Sequence, residues 1–237
     1  MTIGTIYLYK TLSLGFAYPQ EGNWIQIEDL LSACGDLPEG DVSSMMKAFK
    51  SSFLANRHRV RDMESEHLRI FDMGRLISPY ETEYLQEKIS RKPFELADIA
   101  GFYQAFGYDV SDGAEHREPV DHVAVELEFM ALLAYKELYA GENHQDEHLS
   151  IVREAQKNFL HEHLARWGFF FSSRIRGIEC EDYYKNLGKF LHAVLSAECE
   201  IHGLAVAGYE KEINRDAPGG VIEEELNCDQ QLPAGGI

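Results

Sequence analysis

Cysteine is scarce in this chain. Cys34, Cys180, Cys199 and Cys228 lie far apart with no Cys-x-x-Cys pair, which argues against a zinc ribbon or a dithiol redox centre and suits reduced cytosolic thiols. Positive charge is scarce too. The 237 residues hold 22 Lys and Arg against 40 Asp and Glu, a net charge of −18. That balance repels nucleic acid and anionic lipid and favours basic partners. No apolar run approaches the ~20 residues of a membrane span. The apolar start, 1–18, lacks the basic segment and small-residue cleavage site of a signal peptide. Alternating strand patterns, Asn-Gly hairpins and 20–50-residue repeats are also missing. The expectation is a soluble, cytoplasmic, all-α protein with no nucleic-acid partner and no stable membrane insertion.

What is present is helix punctuated by Gly and Pro. The longest unbroken stretch, 118–141, opens with Glu118-Pro119 and closes on Gly141, so Pro119 suits the first helical position and Gly141 the stop. Val123, Leu127, Met130, Ala134 and Leu138 form an apolar stripe, which Phe129, Leu133, Tyr135 and Tyr139 widen around much of the circumference. A helix apolar on most faces is packed on most sides. Its polar residues, Asp121, His122, Glu126 and Glu128, gather in the first turns. The spacing predicts an acid- and His-bearing helix end leading out of a buried body.

Around it, a first helix runs up to Pro19, and a short second over 24–33 has Asn23 as cap and Gly35 as stop. Asp41 caps a third, and a fourth piece covers 60–73. Met45, Met46, Met63 and Met73 fall in these last two, either as core filler or as an adaptable binding surface. The run Ser78-Pro79-Tyr80-Glu81-Thr82-Glu83-Tyr84 reads as a loop or helix start. Helices follow over 94–106, with Gly107 as stop, over 149–167 and over 183–201. One globular domain of about eight to ten helices is expected over 1–209. The segment 210–237, with seven acids against Lys211 and Arg215, reads as an acidic, flexible tail.

Catalytic signatures are missing. There is no phosphate loop, no dinucleotide-binding glycine motif and no nucleophile elbow. His161-Glu162-His163 lacks zincin spacing, and no His-Asp dipeptide or pair of Glu-x-x-His motifs occurs. The expectation is a binding protein without catalytic residues, metal or cofactor. The acids concentrate over 111–147, ten against Arg117 and Lys136. Asp121 in a first helical turn suits the macrodipole without any function, whereas His122 gains nothing there when charged and needs a core hydrogen bond or a ligand. Tyr80, Glu83 and Tyr84 read either as half-buried packing residues or as part of a site.

Glu118-Pro119-x-Asp121-His122-x-x-x-Glu126-Leu127-Glu128-Phe129-Met130 closely resembles the signature helix of the TorD/DmsD/NarJ-like redox-enzyme maturation chaperones. Ala97-Asp98-Ile99-Ala100-Gly101-Phe102-Tyr103 resembles the helix before that signature, and Phe159-Leu160-x-x-His163-Leu164-x-x-Trp167 the one after it. The resemblance runs from about residue 78 to about 171. It implies an all-helical cytoplasmic chaperone, a monomer or homodimer. Such a protein would bind the twin-arginine leader or apo form of a molybdopterin oxidoreductase catalytic subunit until cofactor insertion. It places the leader site on Pro119, Asp121 and His122 and on the Pro79-Tyr80 loop. With their neighbours, the candidate set is Tyr80, Glu83, Tyr84, Glu118, Pro119, Asp121, His122 and Glu126. On this reading Asp121→Ala weakens leader binding with little change in melting temperature. The rival functions are a helical metal-dependent hydrolase using the His and Glu clusters, and a general helical adaptor for a folded partner.

Overall fold

A computed structural model describes residues 3–35, 37–73, 76–84, 88–110 and 118–205. Among them the regular structure is helical: α1 (Ile3–Phe16), α2 (Glu21–Ala33), α3 (Asp41–Ala55), α4 (Val60–His67), α5 (Lys88–Ala105), α6 (Val123–Glu142), α7 (Asp146–Phe159), α8 (Ala165–Gly177) and α9 (Asp182–Ile201). Short π turns, Leu68–Asp72 and Leu160–Leu164, follow α4 and join α7 to α8, and a 3-10 turn spans Glu81–Tyr84. No described helix is long and apolar enough to cross a membrane. The expected split at residue 209 and the acidic tail lie outside the described residues.

The expected central helix is the organising element. α6 packs along α1 and α7, while α9 packs against α8 and α3. Val123, Leu127, Phe129, Met130 and Leu133 of α6 are all fully buried. Its aromatic ring joins a cluster with Tyr103 and Phe159, whose centroids lie 4.7 and 4.8 Å from Phe129. A second cluster ties α2, α3 and α9 together through Trp24, Phe49, Phe53 and Tyr183. Aromatic pairs at these separations add to the burial of their area. Where α9 crosses α8, a Cβ on Gly188 would stand 3.2 Å from the Ser172 carbonyl. Met46 and Met63 are core residues, whereas Met73 is exposed.

Several helix ends fall elsewhere than expected. Pro119 is not in the first turn of α6: the helix begins at Val123, with His122 as its N-cap. Gly141 is not the stop either. The chain turns at His144, which takes the left-handed conformation (φ 55°). Gln145 N–H then reaches back to the Ala140 carbonyl at 2.9 Å and His144 N–H to that of Gly141, the hydrogen-bond pattern of a Schellman terminus. Tyr135 and Tyr139, expected to widen the packed face, are 55% and 50% exposed. α2 starts two residues before Asn23, whose side chain donates instead to the Tyr18 carbonyl. Gly40, not Asp41, is the N-cap of α3. α5 starts at Lys88 and runs through Pro93.

Candidate functional site

The candidate residues come from two segments some forty positions apart, and the backbone staples them together. Tyr80 and His122 form an isolated antiparallel bridge. Val123 N–H donates to the Pro79 carbonyl and Glu81 N–H to the Asp121 carbonyl, both at 2.9 Å. Side chains reinforce the backbone staple. Asp121 Oδ2 accepts from Thr82 Oγ1 at 2.5 Å and from Thr82 N–H at 3.3 Å. Tyr84 Oη donates to the Ser78 carbonyl at 2.5 Å, and its ring stacks on Trp167 with centroids 5.1 Å apart.

His122 has a local task. Its extended backbone (φ −78°, ψ 136°) is that of an N-cap, and Nδ1 accepts from Ala124 N–H at 3.1 Å. Accepting requires an unprotonated Nδ1. Burial, with a smaller contribution from His67, pushes the imidazole down to about 3, so the ring is neutral and the cap is in place at pH 7. Its Nε2 faces Glu118, 3.8 Å away. The core-hydrogen-bond reading of His122 is therefore satisfied without a ligand.

Beneath the staple lies a buried acidic network. Glu126 is fully buried and accepts from Trp167 Nε1 at 3.2 Å. Burial first, and the neighbouring Glu81 charge second, hold its carboxyl well above the usual carboxylate range. Glu81, also fully buried, is met by Arg166 at 2.8 Å and by His163 Nδ1 at 3.2 Å. Arg166 in turn bridges to Glu95 at 2.9 Å.

The candidate set thus divides. Tyr84, Asp121, His122 and Glu126 are buried, contrary to the expectation of a polar helix end reaching out of the body, whereas Tyr80, Glu83 and Glu118 are half-buried and Pro119 is exposed. Tyr80, Glu83, Pro119 and Asp121 converge on one cavity of about 550 Å³, with Phe71, Ile77, Leu96 and Val120 as its apolar lining. Its field is negative: after burial, Glu118, Asp121 and Asp72 all push the Tyr80 hydroxyl up. Among the described residues Lys92 is the cation at the rim, 3.3 Å from Glu83. Sequence reasoning left Glu81, Thr82, His163 and Arg166 out of the candidate set. Their partners lie 39 to 85 residues away, a separation that no local spacing reveals.

Both stapled segments fall within residues 38–172, the part of the chain matched by the family model described as nitrate reductase delta subunit. Two known proteins are similar. The selenate reductase assembly chaperone protein of Thauera selenatis is 31% identical over 190 residues, covering 78% of this chain and 84% of that protein. The chlorate reductase assembly chaperone protein of Ideonella dechloratans is 32% identical over 120 residues, covering 49% of this chain and 59% of that one.

Proposed function

The chain belongs to the nitrate reductase delta subunit family, and from that premise we propose that it is a cytoplasmic, non-catalytic assembly chaperone. Its client is the catalytic subunit of a molybdopterin oxidoreductase, bound through its twin-arginine leader so that export waits for cofactor insertion. The names of the selenate and chlorate reductase relatives support an oxyanion reductase as the class of client. The observation that carries the leader reading is the convergence of Tyr80, Glu83, Pro119 and Asp121 on one apolar-lined, negatively charged cavity.

The physics of such a site fits a leader. The apolar segment of the peptide enters against Phe71, Ile77, Leu96 and Val120, and the Arg pair meets Glu83 and Glu118 at the rim. Burying ~400 Å² of apolar surface contributes about 10 kcal/mol gross at ~25 cal/mol/Å². Ordering a disordered peptide takes back about 2–5 kcal/mol or more, besides the cost of association. At most about 5–8 kcal/mol remains before the association cost, which makes micromolar affinity, about 8 kcal/mol, the ceiling. Exposed Arg–carboxylate pairs add only about 0.2–1 kcal/mol each, so apolar contact sets the affinity and the acids set partner choice and encounter rate.

The test is calorimetric titration of the full chain with a synthetic leader peptide from the client reductase, beside a peptide whose Arg pair is replaced by Gln. Micromolar binding that weakens for the Gln peptide and for Leu96→Trp, which fills the cavity, is expected. A client that co-purifies equally well with and without its leader would transfer the interaction to a folded surface and overturn the leader reading.

A further inference from the structure

His163 sits in the Leu160–Leu164 π turn between α7 and α8 and is fully buried. Its two ring nitrogens have opposite surroundings. Nδ1 lies 3.2 and 3.3 Å from the two Glu81 oxygens, so the tautomer that carries its proton on Nδ1 turns the Nε2 lone pair outward. Nε2 is buried and makes no hydrogen bond. It points at Asp98 Oδ2, 3.5 Å away. In that tautomer two acceptors face each other, an arrangement that a cation bound between them would relieve.

A third donor completes the set. A Glu162 carboxylate oxygen joins His163 Nε2 and the Asp98 oxygen in a group whose ligand atoms all lie within 4.8 Å of one another. Two atoms held ~2.1 Å from a common ion at a tetrahedral angle are about 3.4 Å apart, close to the observed separation of Nε2 and Oδ2. Asp98 and Glu162 are exposed, so a change of rotamer can close the remainder. Both line an open cavity of about 680 Å³, which leaves room for water to complete the coordination. The neighbouring cations are engaged elsewhere: Arg91 with Glu95, and Arg166 with Glu81 and Glu95. The two carboxylates of the deeper group of Glu81, Glu95 and His163 are thereby balanced by Arg166 and Arg91.

We propose that His163 Nε2, Asp98 and Glu162 form a site for a divalent first-row transition cation, of which Zn²⁺ is the type. One imidazole and two carboxylates select such ions over Mg²⁺, which prefers oxygen alone. Glu81 is the outer carboxylate that orients the imidazole, in the manner of carboxylate–histidine–metal triads. Bound there, the ion links α5 to the α7–α8 junction. The link lies one residue from the Glu81 staple and requires no leader or client.

The test uses the full chain, purified without a tag and stripped with chelator, titrated calorimetrically with Zn²⁺ and separately with Mg²⁺. The Asp98→Asn/Glu162→Gln double variant alters only exposed side chains, and its melting curve verifies folding. His161→Gln is the control for surface chelation by the adjacent exposed histidine. One Zn²⁺ per chain is expected, with at least a tenfold loss of affinity in the double variant, no comparable loss in His161→Gln, and no Mg²⁺ heat. The His163 ring nitrogen resonances should shift on Zn²⁺ addition. Absence of Zn²⁺ binding, wild-type affinity in the double variant, or loss of binding in His161→Gln would each overturn the assignment.

Discussion

Replacing Asp121 should damage the fold before it damages recognition. Its carboxylate is 2% exposed and Thr82 is fully buried, so the two hydrogen bonds from Thr82 have no water to replace them. Asp121→Ala orphans both the hydroxyl and the N–H of Thr82. A buried donor left unsatisfied costs about 1–3 kcal/mol, so the variant should lose about 2–4 kcal/mol. For a chain of this size one kcal/mol moves the midpoint by about 2–4 °C, giving a drop of about 5–15 °C. Thermal denaturation followed by circular dichroism measures it. Asp121→Asn retains an acceptor of the same shape and should recover most of the loss.

Thr82→Val closes the cycle. If the pair acts as described, the double variant Asp121→Ala/Thr82→Val is less destabilised than the sum of the two single variants by about 1–2 kcal/mol, the range found for residues in one network. Additive effects, or an Asp121→Ala midpoint within 2 °C of the parent, would refute the staple. They would return Asp121 to the role expected from sequence, a recognition residue whose loss spares stability. Measuring leader affinity on Asp121→Asn, which keeps the fold and removes the charge, then isolates the electrostatic share of binding.

Two titrations run with opposite signs. His122 is held down to about 3 and His67 to about 4, both chiefly by burial, so their stabilising neutral forms lose ground as pH falls below the unfolded value near 6.5. His122→Asn keeps an N-cap acceptor and should flatten the acid limb by up to ~1.4 kcal/mol per pH unit, read from urea midpoints between pH 6.5 and 4. Glu126 is held up, so its contribution is present below the unfolded carboxyl value near 4.3 and is lost as pH rises. Glu126→Gln should therefore lessen the decline on the alkaline side, and an unchanged slope in the same melts would remove the buried-acid assignment. Leader affinity should fall as salt rises from low to physiological strength, and an affinity flat in salt would make the negative rim incidental.

The sequence pattern carried the helices well and the site only in part. Stripes such as Val123, Leu127 and Met130 identify the central helix because burial at 3.6-residue spacing is a local property. Its ends were misplaced because the signals used were Pro and Gly, while the chain uses a neutral, buried His122 as acceptor and a left-handed His144 as terminator. Neither is a preferred residue for its task, and both depend on surroundings supplied by other elements. The expectation that Asp121 and Glu126 emerge from the body failed for a related reason. Polar residues at a helix start read as solvated until Thr82, Trp167 and Glu81 are seen to meet them. Tyr80, Pro119 and Asp121, which the family resemblance singles out, line one cavity with Glu83; their spacing alone left packing and recognition open.

The division between buried and exposed members of the candidate set has a mechanical consequence. Asp121, Tyr84 and Glu126 hold the loop by groups that water cannot reach, so the cavity wall at Tyr80 and Pro119 is set by the core and not by loop propensity. A preformed wall lowers the ordering cost on the protein side of binding, leaving the leader's own ordering as the main opposing entropy. At the rim, Lys92 already neutralises Glu83 across 3.3 Å in a half-exposed pair, so a leader arginine must displace it. Lys92→Gln removes that competitor, and such exposed pairs are worth about 0.2–1 kcal/mol. Leader affinity should then rise about 1.5- to 5-fold at low salt, the upper limit being that energy divided by 1.4 kcal/mol per decade. The gain should vanish in Lys92→Gln/Glu83→Gln, where the carboxylate that Lys92 released is gone. Peptide titrations on the two variants decide it. A weaker leader complex in Lys92→Gln would mean that the lysine contacts the peptide itself, and the arginine would then have to be placed at Glu118.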